Sequence, residues 1–234
     1  MIKNRAAKEC GNADFGWLQA RYTFSFGHYF DPDLLGYASL RVLNQEVLAP
    51  GASFLPRTYP QVDILNIILQ GSAEYRDSLG NTIQATTGEA VLLSTREGIS
   101  YSEHNLNSDQ PLTRMQLWLD ACPQQDNPLR QHCVLQDNTM QLLASPEGEE
   151  GSLQLRQQVW IHLVSIAPEQ SATFSLRGPR AYLQSIYGQV ATQGNVSSGS
   201  QHLQCGDGAF IHQEQQITLC AKTPLRALLI DLPV

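Results

Sequence analysis

Short runs in which apolar and polar residues alternate recur along this chain, and that period of two does most to limit what it can fold into. The stretch Ala20-Arg21-Tyr22-Thr23-Phe24-Ser25-Phe26 puts Tyr22, Phe24 and Phe26 on one side. Thr113-Arg114-Met115-Gln116-Leu117-Trp118-Leu119 does the same with Met115, Leu117 and Leu119, and Gln216-Ile217-Thr218-Leu219-Cys220 continues the pattern. Successive side chains of a strand point to opposite faces, so such runs read as strands with one face on a core. The more continuous Asp63-Ile64-Leu65-Asn66-Ile67-Ile68-Leu69 reads as a strand buried more deeply. Turn signals separate these runs at residues 77–81, 87–89, 197–199 and 205–208. No long segment has helical periodicity. The expected class is all-β, with antiparallel strands in sandwiches or barrels and few short helices.

With 234 residues the chain is long enough for two small β domains, each with its own core. Residues 120–129, rich in Pro, Asp, Asn and Gln, follow a strand and read as an exposed crossover. We therefore expect domains at 1–122 and 123–234. The halves repeat in a shared order. A strand ending Ile68-Leu69-Gln70-Gly71 is followed by Gly88-Glu89-Ala90-Val91-Leu92. A strand ending Ser185-Ile186-Tyr187-Gly188 is followed by Gly206-Asp207-Gly208-Ala209-Phe210-Ile211. Similar strands close both halves, Leu117-Trp118-Leu119-Asp120 and Leu229-Ile230-Asp231-Leu232, and the first half is longer by residues 98–105. The pattern is that of a duplicated β-barrel.

A net charge of −7 and the lack of any Lys/Arg run argue against a nucleic-acid surface. The N-terminal residues lack the apolar core of a signal peptide, and no apolar stretch is long enough for a membrane span. We expect a cytoplasmic protein, monomeric, without nucleic-acid or membrane partners. The five cysteines, Cys10, Cys122, Cys133, Cys205 and Cys220, are scattered and odd in number, so they read as free thiols, each first of all a small apolar side chain. Cys122 lies at the start of the polar crossover. It is the sulfur expected to meet solvent and the candidate for reversible oxidation.

The first half resembles the cupin superfamily, whose small β-barrel carries a glycine, a His-x-His pair, an acidic residue and a later glycine. Here that frame reads Gly51, Arg57, Tyr59, Asp63 and Gly71, with both histidine positions replaced. The second cupin motif places His after Gly. Here Gly98-Ile99-Ser100-Tyr101-Ser102-Glu103-His104-Asn105 has Tyr101 in that place. The aromatic segment Thr23-Phe24-Ser25-Phe26-Gly27-His28-Tyr29-Phe30-Asp31-Pro32, together with Leu40-Arg41-Val42-Leu43-Asn44, resembles the N-terminal signature of the pirin family of bicupins. This resemblance spans nearly the whole chain and is strongest over residues 15–119.

The resemblance implies two antiparallel cupin barrels. In the first, metal-binding members hold a divalent ion with three histidines and a glutamate, and some members are similar to quercetin 2,3-dioxygenases. The matching positions here are Arg57, Tyr59, Tyr101 and Glu103, of which only Glu103 is an ordinary ligand. A guanidinium is cationic and has no acceptor, so Arg57 would repel the ion. The other histidines do not restore the site: His104 adjoins Glu103 and faces away from it on a strand, and His28, His132, His162, His202 and His212 read as ordinary histidines. At the matching positions of the second half stand Phe174 and Leu176, so that barrel is expected to be filled with apolar side chains. The reading is a pirin-like bicupin without metal or other cofactor, not a working dioxygenase. A former metal site of Arg57, Tyr59, Tyr101 and Glu103 becomes a small-ligand pocket in which Arg57 pairs with Glu103. Four alternatives stay open: a dioxygenase with an unconventional site, an interaction protein of the transcription-linked kind known among pirins, a metal-free acid–base enzyme using Glu103 and Tyr101, and a repacked core with no ligand.

Overall fold

The computed structural model describes residues 1–137, 140–196 and 199–233; the turn expected at Ser197-Ser198 lies outside them. In chain order the strands are β1 (Ile2–Arg5), β2 (Gly11–Asp14), β3 (Leu18–Tyr22), β4 (Leu40–Leu48), β5 (Ser53–Thr58) and β6 (Val62–Gln70). They continue as β7 (Ser72–Asp77), β8 (Thr82–Thr86), β9 (Glu89–Ser94), β10 (Ser100–Asn105), β11 (Leu112–Asp120) and β12 (Arg130–Val134). Next come β13 (Met140–Ser145), β14 (Leu153–Gln154), β15 (Trp160–Ile166), β16 (Ser171–Ser175) and β17 (Arg180–Tyr187). The last are β18 (Val190–Gly194), β19 (Ser200–Leu203), β20 (Gly208–His212), β21 (Gln216–Ala221) and β22 (Leu225–Asp231). Among the described residues the only helical pieces are two 3-10 turns, Ala7–Glu9 and Glu149–Gly151, and no helix is long and apolar enough to cross a membrane.

The alternation expected over 20–26 is cut short. β3 stops at Tyr22, and Phe26 instead bridges Tyr29 around Gly27, whose φ is 59°. The aromatic segment is therefore a loop and not a continuation of β3.

Two compact units are present, one of residues 11–135 with 153–157, the other of 1–10, 136–152 and 158–234. They do not follow a single cut after Cys122, because strand pairing outweighs position in sequence. β12 pairs with β9 and so belongs to the first unit, while β1 pairs with β20 and belongs to the second. The first unit sets a sheet in the order β12-β9-β6-β11-β4-β3-β2 against a shorter one, β5-β10-β7-β8. Leu48, Ile64, Ile68 and Leu112 of the first meet Ala73, Tyr75, Ala85 and Tyr101 of the second in one apolar core. The second unit repeats the plan, with β1-β20-β17-β22-β15-β13 against β16-β21-β18-β19. Each expected barrel is thus a two-sheet cupin sandwich.

The internal repeat reaches down to single atoms. Gly71 and Gly188 follow β6 and β17 at φ 89° and 94°. A Cβ at either would strike a carbonyl, Pro111 O at 2.7 Å or Pro224 O at 2.2 Å. Only glycine combines that φ with that approach. Gly88 and Gly206 match at φ 84° and 83°. The carboxylate after each turns back to an amide before it, Glu89 to Thr86 N and Asp207 to Gln204 N.

Candidate functional site

In the first unit β11 is buried on both faces. Met115, Leu117 and Leu119 fill one side, as their alternation implies. The other side, carrying Arg114, Gln116 and Trp118, lines a cavity of about 410 Å³. Arg114 stands opposite Glu46 of β4 in the ladder and reaches to Glu103 of β10 in the facing sheet. Its Nε donates to Glu103 Oε1 at 2.5 Å and its Nη2 to Glu103 Oε2 at 2.6 Å, a bidentate fork, while Nη2 lies 3.1 Å from Glu46 Oε2. The hydroxyl of Tyr75 donates to Glu103 Oε1, and Asn44 Nδ2 to Glu46 Oε1. Side-chain exposure is 2% for Arg114, 8% for Glu103 and 4% for Glu46. Burial works against the guanidinium charge, but Glu103 and Glu46 outweigh it and hold the Arg114 pKa above its ordinary value.

Aromatic rings wall the cavity. Trp17 meets Phe54 edge-on at 5.0 Å, and both Phe26 and Tyr59 meet Trp118, at 5.5 and 5.3 Å. Trp118 is held by its Nε1 donating to Gln116 Oε1, and Gln116 in turn donates to Asn66. Arg57 lies exposed with its guanidinium 5.0 Å from the centre of the Phe54 ring, and His28 of the aromatic loop completes the lining.

Of the four residues expected to share the pocket, Arg57, Tyr59 and Glu103 line it. Tyr101 does not. It is buried in the apolar core, with its hydroxyl 3.4 Å from Ser94 O. The expected Arg57–Glu103 pair also does not form. A bulge between Tyr101 and Glu103 pairs Tyr101 with Arg57 but Glu103 with Phe54, and the fully buried Arg114 takes both Glu103 oxygens. Keeping Arg57 in water avoids desolvating a second guanidinium. His104, as expected, turns away, its Nε2 3.0 Å from Ser102 Oγ.

A divalent metal does not fit this donor set. Glu103 is occupied by a guanidinium. Burial holds Tyr59 and Tyr101 above the ordinary phenol pKa, aided by Glu103 for the first and Asp77 for the second, which disfavours the phenolates a metal would need. Among the described residues no group of three or more His, Cys, Asp or Glu is placed to hold an ion. The cavity instead offers a ring-lined slot with a polar floor. At that floor Arg114 Nη1, buried, has no hydrogen-bond partner among the described atoms.

The thiols are ordered differently from the expectation. Cys122 is half-buried, its Sγ donating to Gln124 Oε1 at 3.0 Å, while Cys205 is the exposed cysteine, because it sits in the turn between β19 and β20. Burial, with Glu89 adding, pushes the Cys133 thiol up to about 11.

The sequence profile of the pirin family matches residues 3–119, and that of the quercetinase C-terminal cupin domain matches residues 142–232. The pirin-like protein YhaK of Escherichia coli K12 is 68% identical over 234 residues, covering 100% of both chains. The quercetin 2,3-dioxygenase of the same strain is 32% identical over 237 residues, covering 100% of this chain and 99% of its own. Among solved structures, the bacterial pirin YhhW of Escherichia coli in complex with nickel(II) superimposes with a TM-score of 0.92 at 31% identity, over 100% of this chain and 99% of that one.

Proposed function

This chain belongs to the pirin family, and from that premise we propose that it works without a metal, binding a small ligand in the aromatic cavity of its first unit. The observation that carries the reading is the fork from Arg114 to Glu103, by which a fixed guanidinium engages both oxygens of the carboxylate that stands at a ligand position of the family's metal-binding members. The cavity has the make-up of a ligand site, with apolar rings for area and a few placed polar groups for orientation. In this reading the protein is a cytoplasmic monomer that touches no nucleic acid. The relatives that bear the name quercetin 2,3-dioxygenase supply the alternative, oxygen-dependent flavonol cleavage.

Metal analysis of protein purified without chelator separates the two. We expect substoichiometric metal and no oxygen uptake with quercetin. Stoichiometric nickel, iron or copper in the unaltered chain would overturn the proposal.

The same reading includes reversible oxidation at Cys122. Its sulfur is partly open, while the S–H bond to the Gln124 amide oxygen favours the thiol and has to break before a thiolate forms. Peptide mapping after mild peroxide is expected to find Cys122 modified first; earlier modification of the more exposed Cys205 would remove this part of the reading.

A further inference from the structure

The second unit was expected to be filled with apolar side chains, and most of its core is: Phe174 and Leu219 pack with Val164, Leu183 and Leu229, and Leu176 lies against them. The end of that core nearest the close of β22 is different. A cavity of about 260 Å³ lies there, walled by Phe174 and Leu229 and bordered by His162, Arg177 and Asp231. The ladder fixes who faces it. Trp160 stands opposite Asp231 and His162 opposite Leu229, so all four share the face that Leu229 turns to the core.

Two buried polar atoms there are unsatisfied, Asp231 Oδ1 and His162 Nδ1. Asp231 is only 2% exposed; its Oδ2 accepts the Arg177 amide at 2.6 Å and the Gly178 backbone also bonds the carboxyl, yet burial outweighs these and holds its pKa above the ordinary value, so a cationic partner is what would favour the ionised form. A buried carboxylate oxygen without a partner costs free energy that a donor brought by a ligand would recover. We propose that this cavity binds a small primary amine, whose ammonium donates to both Asp231 Oδ1 and His162 Nδ1 while its alkyl tail lies on Phe174 and Leu229.

Charge and donor count select the amine. Burial, with the Arg177 charge adding, lowers the His162 pKa and so favours the neutral ring, whose Nε2-protonated tautomer presents Nδ1 as an acceptor beside the Asp231 acceptor. Among the described lining residues Arg177 is the cation at the rim; its charge reaches Asp231 and His162, but its guanidinium makes its contacts elsewhere. It lies 4.4 Å from the centre of the Trp160 ring and 3.9 Å from Glu149, with its side chain 51% exposed. A carboxylate ligand would meet Asp231 as a like charge, and an alcohol carries one hydrogen for two acceptors. Two protein donors are too few for a transition metal.

The test is titration of the full chain with n-butylamine, butanol and butyrate near neutral pH, followed by calorimetry and by amide chemical shifts. Butylamine is expected to bind saturably at one site and to shift the amides of residues 162, 174 and 231. Asp231→Asn is expected to weaken it by about tenfold or more, the worth of a hydrogen bond to a charged group. His162→Phe, which fills the cavity and leaves Asp231 in place, is expected to abolish binding. Absence of saturation, equal binding of butanol or butyrate, or shifts confined to the first unit would overturn the proposal, and the shifts of the unaltered chain decide it even if both variants unfold.

Discussion

Replacing Arg114 by methionine is expected to destabilise the protein by about 3–5 kcal/mol, because it strands two buried carboxylates at once. Glu103 loses both halves of its fork, and Glu46 loses the cation 3.1 Å away. The methionine fills much of the vacated volume, so the loss reports charge and not a void. Urea unfolding of the variant, read as a shift of midpoint at constant slope, measures it. Adding Glu103→Leu to the Arg114→Met variant is expected to recover part of the loss, since one stranded charge is then gone. Arg57→Ala should change stability by less than about 0.5 kcal/mol, as for an ordinary surface site. A cycle between Arg114 and Glu103 must show coupling, and one between Arg57 and Glu103 must not. Coupling in the second cycle and none in the first would restore the pairing expected from sequence and remove Arg114 from the centre of the site.

The second large effect belongs to Asp63. Its side chain is fully buried and accepts from Arg156 through both oxygens, Oδ2 from the backbone N at 2.6 Å and Oδ1 from Nε at 3.0 Å. The guanidinium also donates to Val62 O and Thr95 O. Asp63→Ala leaves a cation that is 5% exposed with only carbonyls for company, and about 3–5 kcal/mol is expected to go with it. Because residues 153–157 belong to the first unit, hydrogen exchange at Arg156 is expected to rise more than exchange at Leu65 or Leu117. Equal loss of protection everywhere would mean that Asp63 supports the unit as a whole and does not pin that segment.

Strands and repeat were legible because their signals are local or copied. Period-two alternation marks Met115, Leu117 and Leu119 of β11, and the two glycine turns carry the same backbone requirement twice. The centre of the site was less legible for the same reason. On an alternating strand Arg114, Gln116 and Trp118 read as the outward face, yet β11 is a central strand flanked by β4 and β6, and both its faces are covered. Nothing local distinguishes an arginine turned to solvent from one turned to an opposing sheet. Glu103 was found through its place in a motif, but its partner depends on the bulge opposite β5, which no spacing announces. In the second unit the stretch Leu229-Ile230-Asp231 showed an acid on a closing strand, and only the ladder places His162 on the same face.

β1 is separated from β20, its partner, by nearly the whole chain. During synthesis this strand leaves the ribosome long before there is an edge to receive it, so the second unit's larger sheet cannot be complete until β20 has been made. Until then an unpaired strand with Ile2 beside it is a template for the wrong neighbour. Lys3, exposed on β1, puts a charge on that waiting strand, the device by which sheet edges resist a wrong partner.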